Sequence, residues 1–283
     1  MKFDITGPPP PWHRFSNRLR PATASPRILI LLDRSKTKYQ SVIDKIHDIN
    51  ASVSVKFVET DFEFMANVRK AADTILADRD VTTIDALFNN AGVITNDLVR
   101  TPDGFESQFA INHLSHFLLT NMLMPRLFTS SCPKIVNISS LGHQHCQPTF
   151  QEPHFNNIDP QKYNPTEAYA KSKGAQVLFS VALNRRTNLK LETLMVMTQE
   201  IVGRSLEEAN ETLTKTSEGG CATGLTTPLE LDVPNGVFMN DCEVPKDPEL
   251  VTAWAQDAGK AEVCWRVSEG AVGQSFSFEV GLL

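Results

Sequence analysis

Between residues 27 and 197 short apolar runs alternate with helical repeats, and no other feature of the chain restricts its fold so tightly. Arg27 to Leu32 (Arg-Ile-Leu-Ile-Leu-Leu) is apolar without alternation, as a strand covered on both faces reads, and it stops at Asp33-Arg34. Ser35 to Asn50 then carries Val42, Ile43, Ile46 and Ile49 at helical spacing. The pattern repeats. Ser52 to Val58 predicts a strand that stops at Thr60-Asp61, Val68 to Leu76 a helix, and Ile84 to Phe88 a strand closing on Asn89-Asn90-Ala91-Gly92. Thr101 to Phe128 predicts a long helix interrupted at Pro125, and Lys134 to Ile138 a strand ending in Ser139-Ser140. Glu167 to Leu183 predicts a helix, and Leu191 to Met197 and Gly236 to Met239 two more strands. Strands and helices in alternation imply a doubly wound parallel sheet with helices on both faces. We therefore expect a Pro-rich atypical N-terminus over 1–26, holding six of the 17 prolines, and a single α/β domain over 27–283.

Composition narrows the function classes. Apolar residues make up 41% of 283, enough for a chain of this length to bury a sizeable core without a metal or disulfide staple. The net charge of -6 argues against a phosphate-backbone partner, so no nucleic acid is expected. The longest apolar run, Ile28 to Leu32, is strand-sized, so no membrane span is expected. Met1 to Pro11 resembles neither a secretory leader nor an Arg-rich transit helix. The five cysteines form no C-x-x-C pair, which fits a reduced, cytoplasmic protein. His143, His145, Cys146 and His154 cluster in sequence, but no second pair completes a tetrahedron, and no metal is expected.

Chemistry in a doubly wound sheet gathers at the carboxyl ends of the strands. Asp33-Arg34, Asp61, Asn89 to Gly92 and Ser139-Ser140 all fall there. Tyr169-Ala-Lys-Ser-Lys173 adds a phenol and an ammonium at i and i+4, on one helical face. A phenol titrates near 10 when alone, and a cation close by favours its anion. Ser140 at a strand end could hold a carbonyl oxygen while Tyr169 gives or takes its proton.

Taken together, N-N-A-G at Asn89 to Gly92, the segment Gly104-Phe-Glu-Ser-Gln-Phe-Ala-Ile-Asn-His-Leu-Ser-His-Phe-Leu-Leu-Thr120, I-V-N-I-S-S-L-G-H from Ile135 and Y-A-K-S-K from Tyr169 resemble the short-chain dehydrogenase/reductase family. The resemblance is strong from Arg27 to about Leu183 and is nearest the retinol-dehydrogenase and WW-domain-oxidoreductase branch, also common in fungal secondary metabolism. It implies a Rossmann-type sheet and reversible oxidation and reduction of a small hydrophobic carbonyl or alcohol substrate. Tyr169 then matches the general acid/base, Lys173 the group that lowers its pKa and holds the nicotinamide ribose, and Ser140 the residue that polarises the carbonyl. Asn112 matches the asparagine that supports a water relay. Asp61 matches the adenine-contacting carboxylate, and Asn89 and Gly92 the segment flanking the cofactor. Arg34 stands where NADP-preferring members place a cation for the 2′-phosphate, and Asp33 where NAD-preferring members place a ribose-binding carboxylate; NADP(H) is the cofactor expected. A homo-oligomer formed through the Asn112 and Tyr169 helices is a further implication.

Two stretches depart from that pattern. The family's T-G-x-x-x-G-x-G turn lets backbone N–H groups cradle a pyrophosphate. Here Thr6-Gly7 is followed by Pro8 to Pro11, which bring no N–H donors, and the next glycine is Gly92. The first strand and helix are therefore expected to be degraded or absent. After Met197 the family's P-G pair is replaced by Thr198-Gln-Glu-Ile-Val-Gly-Arg-Ser205. Three readings stay open: an NADP-dependent oxidoreductase whose phosphate-binding segment is poorly represented here, a cofactor-free isomerase, dehydratase or cyclase using Tyr169 and Ser140, and an inactive scaffold. Among smaller signals, Asn210 to Thr216 suggests a lid helix, His143 a possible ligand contact, and Trp254 and Trp265 a cover over apolar surface.

Overall fold

The computed structural model describes residues 2–6, 26–145, 147–148, 160–187, 192–198, 238–239 and 250–278. Seven parallel strands form one sheet: β1 Lys2–Thr6, β2 Ile28–Asp33, β3 Ser54–Glu59, β4 Ala86–Asn89, β5 Lys134–Ser140, β6 Glu192–Thr198 and β7 Phe238–Met239. Their order is β3-β2-β1-β4-β5-β6-β7. The direction of winding reverses between β1 and β4, and that switch point opens the crevice in which such sheets bind ligands.

The expectation of a degraded or absent first strand is corrected. Lys2–Thr6 lies at the switch point, with Lys2 level with Ile28, Thr6 level with Leu32, and Phe3 to Ile5 level with Ala86 to Phe88. The strand is too short to announce itself, and pairing on both edges is what holds it. The polyproline run and the rest of 7–25 lie outside the described residues, as do Cys146, His154, Thr198's successors through Ser205 and the suggested lid helix at Asn210 to Thr216.

Alternation across β2 divides the interior in two. Ile28, Ile30 and Leu32 face one side with Leu87 and Ile135, while Leu29 and Leu31 face the other with Phe88 and Val136. Helix α1, Lys36–Ile49, covers the second side through Tyr39, Val42 and Ile46. The first side takes helices α2, Met65–Ala77, and α3, Ser115–Leu127, together with α4, Pro165–Arg186, and α5, Ala258–Val272. No helix among the described residues is long and apolar enough to cross a membrane.

The long helix expected from Thr101 begins later. Gly104 takes φ 87°, a left-handed turn that interrupts the helical repeat. The buried Glu106 carboxylate then caps the N–H groups of Gln108 and Phe109 at 3.0 and 2.7 Å. A helical turn, Ser107–Phe109, leads into a π-helical turn, Ala110–Leu114, before α3 proper. Pro125 does not interrupt α3; it sits in the last turn, where the missing N–H removes a single bond.

Candidate active site

Helix α4 starts at Pro165, where a proline's missing N–H costs nothing, and the Asn164 side chain caps Glu167 N at 3.2 Å. Apolar and small residues surround it on most sides, so the side chains at Tyr169 and Lys173 are carried into the interior, 3% and 4% exposed. The Lys173 ammonium lies 5.7 Å from the centroid of the Tyr169 ring. It donates to the Ile138 carbonyl at 2.8 Å and to Gln176 Oε1 at 3.2 Å. Burial disfavours its charge and pulls its pKa down to about 7.

Ser140 closes β5 and meets Tyr169 across Gly142. A Cβ on Gly142 would stand 3.3 Å from Ser140 Oγ and 3.4 Å from Tyr169 Cε1, so hydroxyl and ring edge flank one small volume that the glycine leaves open. Ser140 Oγ accepts from Gly142 N at 3.0 Å, which leaves its own proton to donate. Ser139 Oγ donates to the Lys173 carbonyl at 3.0 Å and straps β5 to α4. Tyr169 Oη is buried and has no hydrogen-bond partner among the described residues. A phenol without a partner in the interior costs stability, and active sites are where such groups are retained.

The π-helical turn sets Asn112 apart from the regular helical phase and aims its amide at both neighbours of the site. Oδ1 accepts from Val93 N at 2.8 Å, and Nδ2 donates to the Val93 carbonyl at 3.1 Å and to Ser172 Oγ at 3.0 Å. The loop after β4 is thereby pinned against α4. A Cβ on Gly92 would lie 3.4 Å from Asn112 Oδ1 and 3.7 Å from Lys173 Nζ, which measures how closely that loop passes over both. The four expected acid/base residues, Asn112, Ser140, Tyr169 and Lys173, are brought together.

Beside them a small cleft, about 30 Å³ in volume, is lined by Arg34, Asp61, Phe62, Glu63, Gly92, Val93 and Ile111. Three of the expected cofactor residues therefore share one cavity at the ends of β2, β3 and β4. Arg34 leans on Glu63 at 3.5 Å and stays half-exposed. Asp33 does not line the cleft; it is 5% exposed and its Oδ2 accepts from the Tyr39 hydroxyl at 2.8 Å. Asn89 turns inward, its Nδ2 donating to Thr120 Oγ1 at 2.8 Å and Asn137 Oδ1 at 2.7 Å, so the N-N-A-G segment reaches the cleft through Gly92. The chemistry of the lining suits the nucleoside end of a dinucleotide, with the half-exposed Arg34 guanidinium, the Asp61 carboxylate and the Gly92 backbone sharing the cleft, and the Tyr169 hydroxyl, without a partner among the described residues, marks the neighbouring volume as one where a further group belongs.

His143 is buried, its Nδ1 paired with the Ser140 carbonyl at 2.8 Å and its ring set edge-on to Trp254, with centroids 6.1 Å apart. Among the described residues no three His, Cys, Asp or Glu side chains gather as a metal site. The structure adds Gln176 and His116, which sequence reading passed over. Gln176 at i+7 from Tyr169 could have been found by spacing, whereas its contact with His116 depends on helix packing.

The depressed Lys173 pKa has a measurable consequence for stability. Between about 7 and the ordinary value of 10.5 the unfolded chain holds a proton on this amine that the folded chain lacks. Stability therefore rises with pH through that window, by up to about 1.4 kcal/mol per unit, and below it the burial penalty is complete. Urea unfolding from pH 7.5 to 9.5 is expected to show this rise in the parent chain and a flatter course in Lys173→Met. Parallel curves would mean that the amine is not desolvated.

A profile of the short chain dehydrogenase family matches residues 20–151. Human retinol dehydrogenase 11 is 31% identical over 248 residues, 83% of this chain and 74% of that one. The first curated relatives matched are longer, and the chain spans between 46% and 66% of their length. An uncharacterized protein from Mycobacterium paratuberculosis superposes with a TM-score of 0.73 at 27% identity, covering 98% of this chain and 95% of that one. A short-chain dehydrogenase from Sphingobium yanoikuyae, solved in complex with NADPH, shares the fold with a TM-score of 0.59 at 18% identity, covering 80% and 83%.

Proposed function

The chain belongs to the short-chain dehydrogenase/reductase family, in its retinol dehydrogenase-like branch, and from that premise we propose that it interconverts a ketone or aldehyde and the matching alcohol on a small hydrophobic molecule, using NADP(H). The observation that carries the reading is the Tyr169 hydroxyl, buried and without a partner among the described residues, on a ring whose edge flanks Ser140 Oγ across Gly142. Ser140 donates to the substrate oxygen, and Tyr169 gives that oxygen its proton in reduction and takes it back in oxidation. The charged form of Lys173 favours the phenolate and so eases both directions. Arg34, Asp61 and Gly92 would hold the nucleoside half of the cofactor, and Lys173 the nicotinamide ribose. When bound, the nicotinamide supplies or accepts the hydride. The family relatives named for retinol support a hydrophobic alcohol as substrate class.

Preference for NADPH rests on Arg34, the cation at the cleft, with Asp33 withdrawn into the Tyr39 hydrogen bond. A charge-assisted contact to a phosphate contributes about 1.5–3 kcal/mol, or roughly ten- to a hundredfold in Kd. Fluorescence titration of the purified chain is expected to saturate with NADPH, and Arg34→Ala to weaken NADPH by about that factor while leaving NADH nearly unchanged. Equal weakening of both cofactors would remove the assignment of Arg34. If millimolar NADPH gave no saturation at all, the redox reading would fall and cofactor-free acid/base chemistry in the same pocket would take its place.

A further inference from the structure

Gln176 stands three residues beyond Lys173 on the same face of α4, and its side chain is fully buried. An amide in such a place costs stability unless both its ends are paired. Both are: Oε1 accepts from Lys173 Nζ at 3.2 Å, and Nε2 meets His116 Nδ1 at 3.0 Å. An ammonium can only donate, so the amide must turn its oxygen toward Lys173 and its N–H groups toward His116. His116 is buried on α3 and kept neutral by desolvation, which pulls its pKa down to about 3. A neutral imidazole that accepts at Nδ1 carries its proton on Nε2, and that nitrogen has no partner among the described residues. An apolar pair at 116 and 176 would fill the same space without an orphaned N–H, so packing alone does not account for the choice.

We infer that Gln176 and His116 are positioning residues that hold the Lys173 ammonium in place, Gln176 by direct contact and His116 by fixing the orientation of the Gln176 amide. With the Ile138 carbonyl as its second acceptor, Nζ is held from two directions. The titratable groups around Lys173 are Tyr169 on its own helix and His116 from α3. From β5 and the loop after β4 it meets the Ile138 carbonyl, Ser139 and Gly92.

The inference rests on the reading of Lys173 as part of the active site, and its test separates the two. Lysines labelled with ¹³C at Cε would be followed by NMR, the Lys173 signal being assigned by its loss in Lys173→Met. Gln176→Leu removes an acceptor from the ammonium and is expected to lower the Lys173 titration midpoint. Gln176→Glu sets a carboxylate there and is expected to raise it by roughly one to three pH units. His116→Phe, which leaves the amide free to turn, should move the midpoint in the same direction as Gln176→Leu, by less. In turnover, Gln176→Leu is expected to lose about a hundredfold in kcat, as misplaced groups do, while Gln176→Glu retains activity with its alkaline limb shifted upward. A midpoint unmoved in both Gln176 variants, each confirmed as folded by circular dichroism, overturns the inference. A midpoint that moves as stated while kcat and its pH profile stay constant upholds the positioning and overturns instead the place of Lys173 in the chemistry.

Discussion

Tyr169→Phe is expected to lower kcat about 10²- to 10⁴-fold while the melting temperature holds or rises. The two halves of that result come from one atom. Oη is carried by Tyr169, the acid/base group whose ring flanks Ser140 Oγ across Gly142, so a phenylalanine leaves the substrate oxygen with a hydrogen bond from the serine and no phenolic proton to receive. The same atom is buried without a partner, a state that costs about 1–3 kcal/mol, and a phenylalanine of nearly equal shape relieves it. Binding of NADPH should change little, because Arg34, Asp61 and Gly92 are untouched. Steady-state kinetics with an aromatic or long-chain aldehyde, beside a thermal melt, measure both. Retained turnover would remove Tyr169 from the mechanism; lost turnover with a fall of several degrees in Tm would mean that the hydroxyl is structural.

Such a pairing of gain and loss fits a site where stability is given up for function. Lys173 is a buried cation with its pKa pulled down to about 7, His116 Nε2 is unpartnered, and Asn89 Oδ1 is buried without a partner at the end of β4. The large apolar clusters on the two faces of the sheet offset the cost of these groups.

What could be read from the chain alone follows physical locality. The strand at Ile28–Asp33 shows because its first five residues, buried on both faces, are all apolar, and the one polar residue, Asp33, marks its end. Tyr169 and Lys173 show because i and i+4 share a helical face whatever the tertiary context. Strand Lys2–Thr6 did not show. Its place depends on pairing with residues 28–32 on one edge and 86–88 on the other, and its polar-apolar alternation, only five residues long and followed by four prolines, is too short to set it apart. The π-helical turn at Ala110–Leu114 was equally hidden, since one extra residue per turn shifts the phase of an apolar pattern that is buried all round. The phase shift matters for the site because Asn112 lies within it. The inward turn of Asn89 and the seclusion of Asp33 behind Tyr39 belong to the same class, decided by neighbours distant in space rather than in sequence.

The largest loss of stability from a single change is expected at Trp265, on the helix that closes the first face. Trp265 is fully buried and meets Phe117 of α3 at a centroid distance of 5.0 Å, Phe179 of α4 at 5.9 Å and Phe278 at 6.1 Å. Arg186, at the end of α4, stacks on it at 4.4 Å and pairs with Glu262 at 2.7 Å, so the indole ties α4 to α5 by a polar edge as well as an apolar face. Trp265→Ala removes this side chain from all three partners and leaves a cavity that rigid aromatic neighbours cannot close, a loss of about 3–5 kcal/mol. For a chain of this size that lowers the melting temperature by roughly 10 °C. Trp265→Phe keeps most of the contact area and removes a buried indole N–H that has no partner among the described residues, so its loss should be less than half as great. Because α4 carries Tyr169 and Lys173 on the turns before this contact, the alanine variant should also lose turnover near its own melting range while keeping it in the cold. If Trp265→Ala melted like the parent, α5 would not be part of the core that holds the catalytic helix in place.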